Sequence, residues 1–211
     1  MYIELVDALR CPALHEETWL VVSTTRMEAR HIVTGTLGCP VCLAEYPIVD
    51  GVVDFRSDRA TTPYGAEQHA PNTAMRVAAM LDLADATGFA VLLGQWGALA
   101  HDLAGIVETP LIAVDPPDGV VGSPGLSVIR CEGGLPLASG AARAIAIDAR
   151  NTARADSAVR VTRTKGRVLA PTALHMPAGV RELARDAQLW VGEREAAPSS
   201  IVTLHVRRAL S

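Results

Sequence analysis

Lysine is nearly missing from this chain of 211 residues: Lys165 is the only one, and arginine carries the remaining positive charge. With abundant alanine beside it, this reads as coding bias rather than function. Aromatic residues are scarce, at 4%. No long run of one charge sign occurs and the formal net charge is −4, which argues against a dedicated nucleic-acid binder with a basic face. The one basic group, Arg160, Arg163, Lys165 and Arg167, reads as a solvated helix end before it reads as a phosphate contact. The longest apolar stretch, around 89–100, is too short to span a bilayer and is broken by Gly94, Gln95 and Gly97. The start, 1–10, carries Glu4 and Asp7 without a basic region and an apolar core, so a signal peptide is not expected. These absences make a cytoplasmic protein without a membrane span the expectation. Internal repeats and low-complexity segments are also missing. What is present is apolar: 49% of the residues can bury a real core, which excludes global disorder.

Four cysteines in a reducing compartment suggest metal binding or free thiols before disulfides. Three of them, Cys11, Cys39 and Cys42, fall in the first 42 residues, and Cys131 lies far away. Residues 1–56 are rich in Val, Ile, Thr and turn residues and read as short strands. The segments 19–22 and 31–34 look paired, and 45–55 looks like a closing strand with a turn at Asp50-Gly51. Residues 57–72 are polar, with Pro63, Gly65 and Pro71, and read as a linker. From 73 to 86 apolar residues recur at helical spacing, with Gly88 as the stop. Apolar strand-like runs follow at 89–93, 111–115, 126–129, 144–147 and 167–170. Alternating with helical or loop segments, they predict an α/β domain over 73–211 with a doubly wound, largely parallel sheet covered on both faces. The tail 200–208 alternates like a final antiparallel edge strand.

The pairs Cys11/His15 and Cys39/Cys42 are two short turns, each offering two soft or borderline ligands. Zinc takes four such ligands in a tetrahedron, and a β-hairpin can bring two knuckles together to supply them. Four protein ligands close the site, so the zinc is expected to be structural. The first knuckle is C-x3-H rather than C-x2-C, and His31 is the reserve ligand in place of His15.

The residues 9–12, 39–42 and above all 45–55, with its Tyr-Pro-Ile and Asp-Gly elements, resemble the small zinc-binding activator subunit of tRNA, rRNA and release-factor methyltransferases. His15 departs from that pattern, standing near where a second cysteine is usual. The rest of the chain resembles class I S-adenosylmethionine-dependent methyltransferases in its order of elements. The resemblance implies a Rossmann-like methyltransferase fold behind a small N-terminal β-rich zinc ribbon. It implies S-adenosylmethionine as a possible cofactor, with Gly94, Gln95, Gly97, Asp115 and Glu132 as the candidate residues around it. A glycine-rich turn lets backbone approach such a ligand, and a carboxylate such as Asp115 accepts both ribose hydroxyls. Asp115-Pro116 also suits an ordinary turn. Leu92 stands where an acid is usual, Trp96 divides the two glycines, Ala142-Arg143 replaces an aromatic–acidic pair, and Cys131 stands near an expected acid. The cofactor loop is therefore eroded. The expectation is a zinc-binding, methyltransferase-like protein that is non-catalytic or strongly divergent and works through a protein partner or self-association. The alternative is an active S-adenosylmethionine-dependent methyltransferase. By the same resemblance the ribbon either packs on its own domain or presents an edge strand to a second chain.

Overall fold

A computed structural model describes residues 1–58 and 64–196 of the chain. The first four strands are β1 (Val21–Glu28), β2 (His31–Gly38), β3 (Glu45–Val49) and β4 (Val52–Asp54). They form an antiparallel meander, each pairing with the next. Asp50 and Gly51 both have positive φ, at 48° and 76°, the two left-handed residues a tight hairpin turn needs. The remaining strands are β5 (Ala90–Leu93), β6 (Leu111–Val114), β7 (Leu126–Arg130), β8 (Ala142–Ala146), β9 (Thr162–Pro171), β10 (Val180–Arg185) and β11 (Leu189–Arg194). All eleven strands of the described residues join one sheet in the order β1-β2-β3-β4-β7-β6-β5-β8-β9-β11-β10.

Counted from β5, the central strands run 3-2-1-4-5, the doubly wound order, and each neighbouring pair from β7 to β9 is parallel. The last hairpin returns so that β11 lies between β9 and β10, antiparallel to both. This is an α/β, Rossmann-like methyltransferase fold. The N-terminal meander continues the same sheet. Its β4 pairs in parallel with β7, Val52 opposite Val128 and Asp54 opposite Arg130, and the N–H of Phe55 donates to Arg130 O. The meander thus packs on the chain's own central sheet.

The central strands are apolar throughout because each is covered on both faces. On one face Ala90, Leu92, Leu111, Ala113, Leu126 and Val128 pack beneath α1 (Thr73–Met80) and α2 (Ala100–Ala104). On the other, Val91, Leu93, Ile112, Val114 and Ile129 share a core with Met1, Leu5, Leu9, Leu37, Ile48 and Val53 from the N-terminal segment. Each fully buried aliphatic side chain in that shared layer contributes about 1.5–3 kcal/mol. The crossovers from β6 to β7 and from β7 to β8 carry no helix. The 3₁₀ turn Ile3–Ala8, with α3 (Ala155–Val161), covers that face instead.

Two expectations change. The first helix ends at Met80 rather than running to 86. Asp82 adopts φ 56°, and its N–H and that of Leu83 donate to the carbonyls of Ala79 and Ala78. Those two bonds and the left-handed residue between them make a Schellman stop. Asp82 and Asp85 then clamp onto buried Arg143, whose guanidinium reaches Asp82 O, Asp85 and Thr87 Oγ1. The paired strands also run longer than expected, to Glu28 and Gly38. The hairpin of β10 and β11 was not expected from the sequence, and the edge strand expected at 200–208 lies outside the described residues.

Candidate functional site

Two places concentrate chemistry. At the first, Cys11, His15, Cys39 and Cys42 put their ligand atoms within 4.8 Å of one another. Cys11 Sγ lies 3.6 Å from Cys42 Sγ, and Cys39 Sγ lies 3.4 Å from His15 Nε2. Sulfur ligands about 2.3 Å from a tetrahedral zinc would be about 3.8 Å apart, and a nitrogen slightly closer. The donor set and its spacing therefore fit that ion.

The surroundings prepare the ligands. His15 Nδ1 donates to Glu16 O at 2.6 Å, which leaves the Nε2 lone pair for a metal. The Tyr46 hydroxyl lies 3.3 Å from Cys11 Sγ and can donate to a thiolate there. Burial pushes the Cys39 thiol up, but the N–H groups of Cys42 and Val41 and the neighbouring thiols bring it down to about 6. Cys11 moves upward, chiefly through burial. His31 is no part of this cluster: its Nε2 donates to Ser123 O at 3.0 Å and its ring packs on Tyr2.

The second place lies at the carboxyl ends of β5, β6, β7 and β8, where open α/β sheets bind ligands. Asp115 ends β6 with φ 46°. Its Oδ1 accepts from the Cys131 N–H at 3.0 Å, and its Oδ2 pairs with Arg154 Nη1 at 2.6 Å. Arg154 Nη2 also donates to Cys131 O at 2.9 Å. Both carboxylate oxygens are thus engaged by this chain, which ties together the ends of β6 and β7 and the start of α3. The Cys131 thiol is buried and lies 3.6 Å from Asp115 Oδ2, so burial first and then the carboxylate drive its pKa far upward.

The glycines of the loop make room for protein. Gly94 has φ 63°, and a Cβ there would meet Asp148 Oδ2 at 2.2 Å. Asp148 caps the 3₁₀ turn Ala149–Arg154 through the Asn151 N–H and accepts the Gln95 N–H at 2.8 Å. A Cβ on Gly97 would meet Pro116 Cβ at 2.5 Å. Gln95 is buried, and its side chain holds residues 65–67: Oε1 accepts the Glu67 N–H at 2.9 Å, and Nε2 donates to Gly65 O at 3.1 Å. In the same segment the Tyr64 hydroxyl donates to Asp115 O, and His69 stacks on buried Trp96. Glu132 turns elsewhere, accepting from Ser57 Oγ and the Asp58 N–H. Gly94, Gln95, Gly97 and Asp115 therefore lie together, whereas Glu132 serves a different contact. Asp148, Asn151 and Arg154 thus occupy the space beside Gly94 and Asp115.

Sequence reasoning did not single out Arg154, Asp148, Asn151 or Tyr64. Asp148, two residues after β8, is a helix-start residue type that could have revealed the cap. Nothing in the sequence pointed to Arg154. In the basic group, Arg160 donates to the carbonyls of Leu135 and Leu137, while Arg163 and Lys165 are exposed.

No protein-family model and no curated protein matches the chain. Among solved structures, it is similar to a chain of the complex between the Haloferax volcanii Trm112 methyltransferase activator and the putative methyltransferase. Identity is 11% and the TM-score 0.48, over 59% of this chain and 90% of that one. It is similar to the antibiotic-resistance methyltransferase Kmr, at 14% identity and a TM-score of 0.42, over 63% and 98%. It is also similar to the Haemonchus contortus phosphoethanolamine N-methyltransferase 2 in complex with S-adenosyl-L-methionine, at 12% identity and a TM-score of 0.43, over 87% and 50%. All three scores fall below 0.5, so the fold assignment rests on the strand order.

Proposed function

We propose that this is a zinc-binding, methyltransferase-like protein whose cofactor end is closed and structural, and that it acts through a protein partner. The observation that carries the reading is the Arg154–Asp115 pair: the carboxylate suited to ribose hydroxyls is neutralised from within. The filled space over Gly94 and the Gln95 anchor support it. On this reading residues 1–56 form a zinc ribbon, 57–72 a linker, and 73–211 the methyltransferase-like unit, with zinc held by Cys11, His15, Cys39 and Cys42. Leu14, Trp19, Val21 and Leu43 around the knuckles are exposed, and these apolar side chains supply the surface for a partner. Among the described residues no helix is long and apolar enough to cross a membrane. A ligand that binds the native state raises the melting temperature. Zinc-replete protein heated with millimolar S-adenosylhomocysteine is therefore expected to melt where it melts alone, and a clear rise would defeat the reading.

A further inference from the structure

A cavity of about 290 Å³ lies at the opposite end of the central sheet, among the amino ends of β5, β6 and β7. Its sheet side is Ile112 and Ser127, and its other side is Tyr2 and Leu5 of the N-terminal segment. Phe89 and Pro110 also line it. The fold explains the space. No helix spans the crossover from β6 to β7, and the six-residue 3₁₀ turn Ile3–Ala8 covers this face in its place. A turn of that length cannot fill what several helical turns would. The walls are mostly apolar carbon, and the charge at the rim is balanced, because Glu4 is paired with Arg30.

One polar group stands in the wall. Ser127 is 2% exposed, and its Oγ accepts the Tyr2 N–H at 3.0 Å. Its hydroxyl donates to none of the described residues, and Ser127 lines the cavity. Ligand sites characteristically combine an apolar wall with a few placed polar groups. An apolar cavity of about 150 Å³ already suffices for benzene.

We infer that this cavity is a binding site for an uncharged, ring-sized apolar molecule carrying one hydrogen-bond acceptor, which Ser127 Oγ–H would engage. Such a ligand would bridge Leu5 and the sheet, and so fix the N-terminal segment on the central strands. The site is independent of the cofactor end and does not rest on whether that end is closed.

The test uses the full chain, acetophenone as the probe, and ethylbenzene as its counterpart without an acceptor. Titration followed by amide NMR is expected to shift Leu5, Phe89, Ile112 and Ser127, with acetophenone binding the more tightly. Ser127→Ala should weaken acetophenone about threefold to tenfold, the worth of one hydrogen bond, and leave ethylbenzene unchanged. Leu5→Trp, with its melting transition retained, should abolish both by filling the space. Acetophenone that shifts none of these amides at millimolar concentration, or binds Ser127→Ala as it binds the wild type, overturns the assignment. The wild-type shifts decide the matter even where Leu5→Trp fails to fold.

Discussion

Arg154 Nη1 sits 2.6 Å from Asp115 Oδ2, with the two side chains 17% and 21% exposed. The end of β6 and the start of α3 are joined there by a charged contact that water reaches poorly. Removing one partner of such a pair leaves the other half-buried and uncompensated, which costs more than the pair contributes. Arg154→Ala is expected to lower the unfolding free energy by about 2 kcal/mol, discounted from the fully buried case for partial exposure. In urea denaturation the double variant with Asp115→Asn should lose less than the sum of the single losses. Additive losses would mean that the pair does not couple.

Gly94 offers a sharper contrast. Its φ of 63° and the 2.2 Å approach of Asp148 Oδ2 to a Cβ leave no room for alanine. Gly119, with φ 85°, has nothing within 4 Å of its Cβ position. Gly94→Ala should cost at least about 2 kcal/mol, from strain and steric clash together. Gly119→Ala should cost about 1 kcal/mol, from the left-handed backbone alone. Equal losses in thermal unfolding would show that the loop is not packed against Asp148.

Metal removal should act first on the meander. The protein is expected to carry one zinc per chain, measured by elemental mass spectrometry, and Cys39→Ser should lose it while His31→Ala keeps it. Structural zinc contributes on the order of 10 kcal/mol in small modules. Chelation should therefore expose β1, β2 and β3 to hydrogen exchange before β5 to β9. Retention of zinc by Cys39→Ser would contradict the ligand set.

The clamp on Arg143 makes a pH prediction. The Thr87 hydroxyl and Arg143 hold the Asp85 carboxyl well below the usual carboxylate range. A carboxylate depressed in the folded state stabilises above its unfolded pKa of about 3.9, and that stability is lost as pH falls toward the folded value. The gap in stability between wild type and Asp85→Asn should be constant near neutrality and shrink below about pH 4. A gap that persists unchanged toward pH 2 would rule out the clamp as its source.

Much of this architecture was legible because apolar runs and turn residues are local signals. Val91 and Ile112 sit in runs that any buried parallel strand needs, and Asp50-Gly51 is a turn by its residue types. The clustering of Cys11, His15, Cys39 and Cys42 was equally legible, since knuckle spacing is itself geometric. By contrast, β10 is an edge strand whose residues Arg181, Glu182 and Arg185 face solvent, so no buried face imprints alternation on it. The end of α1 at Met80 depends on Asp82 and on Arg143, which lies far along the chain, and no local window contains both. Arg154 was illegible for the same reason: its role comes from a partner 39 residues away.

On the proposed reading, Asp115 and the loop around Gly94 are filled by the chain itself. Calorimetric titration of the zinc-replete protein with S-adenosylmethionine tests it most directly. No binding heat is expected at millimolar ligand. Micromolar binding that Asp115→Ala abolishes would contradict it and make the protein a candidate enzyme.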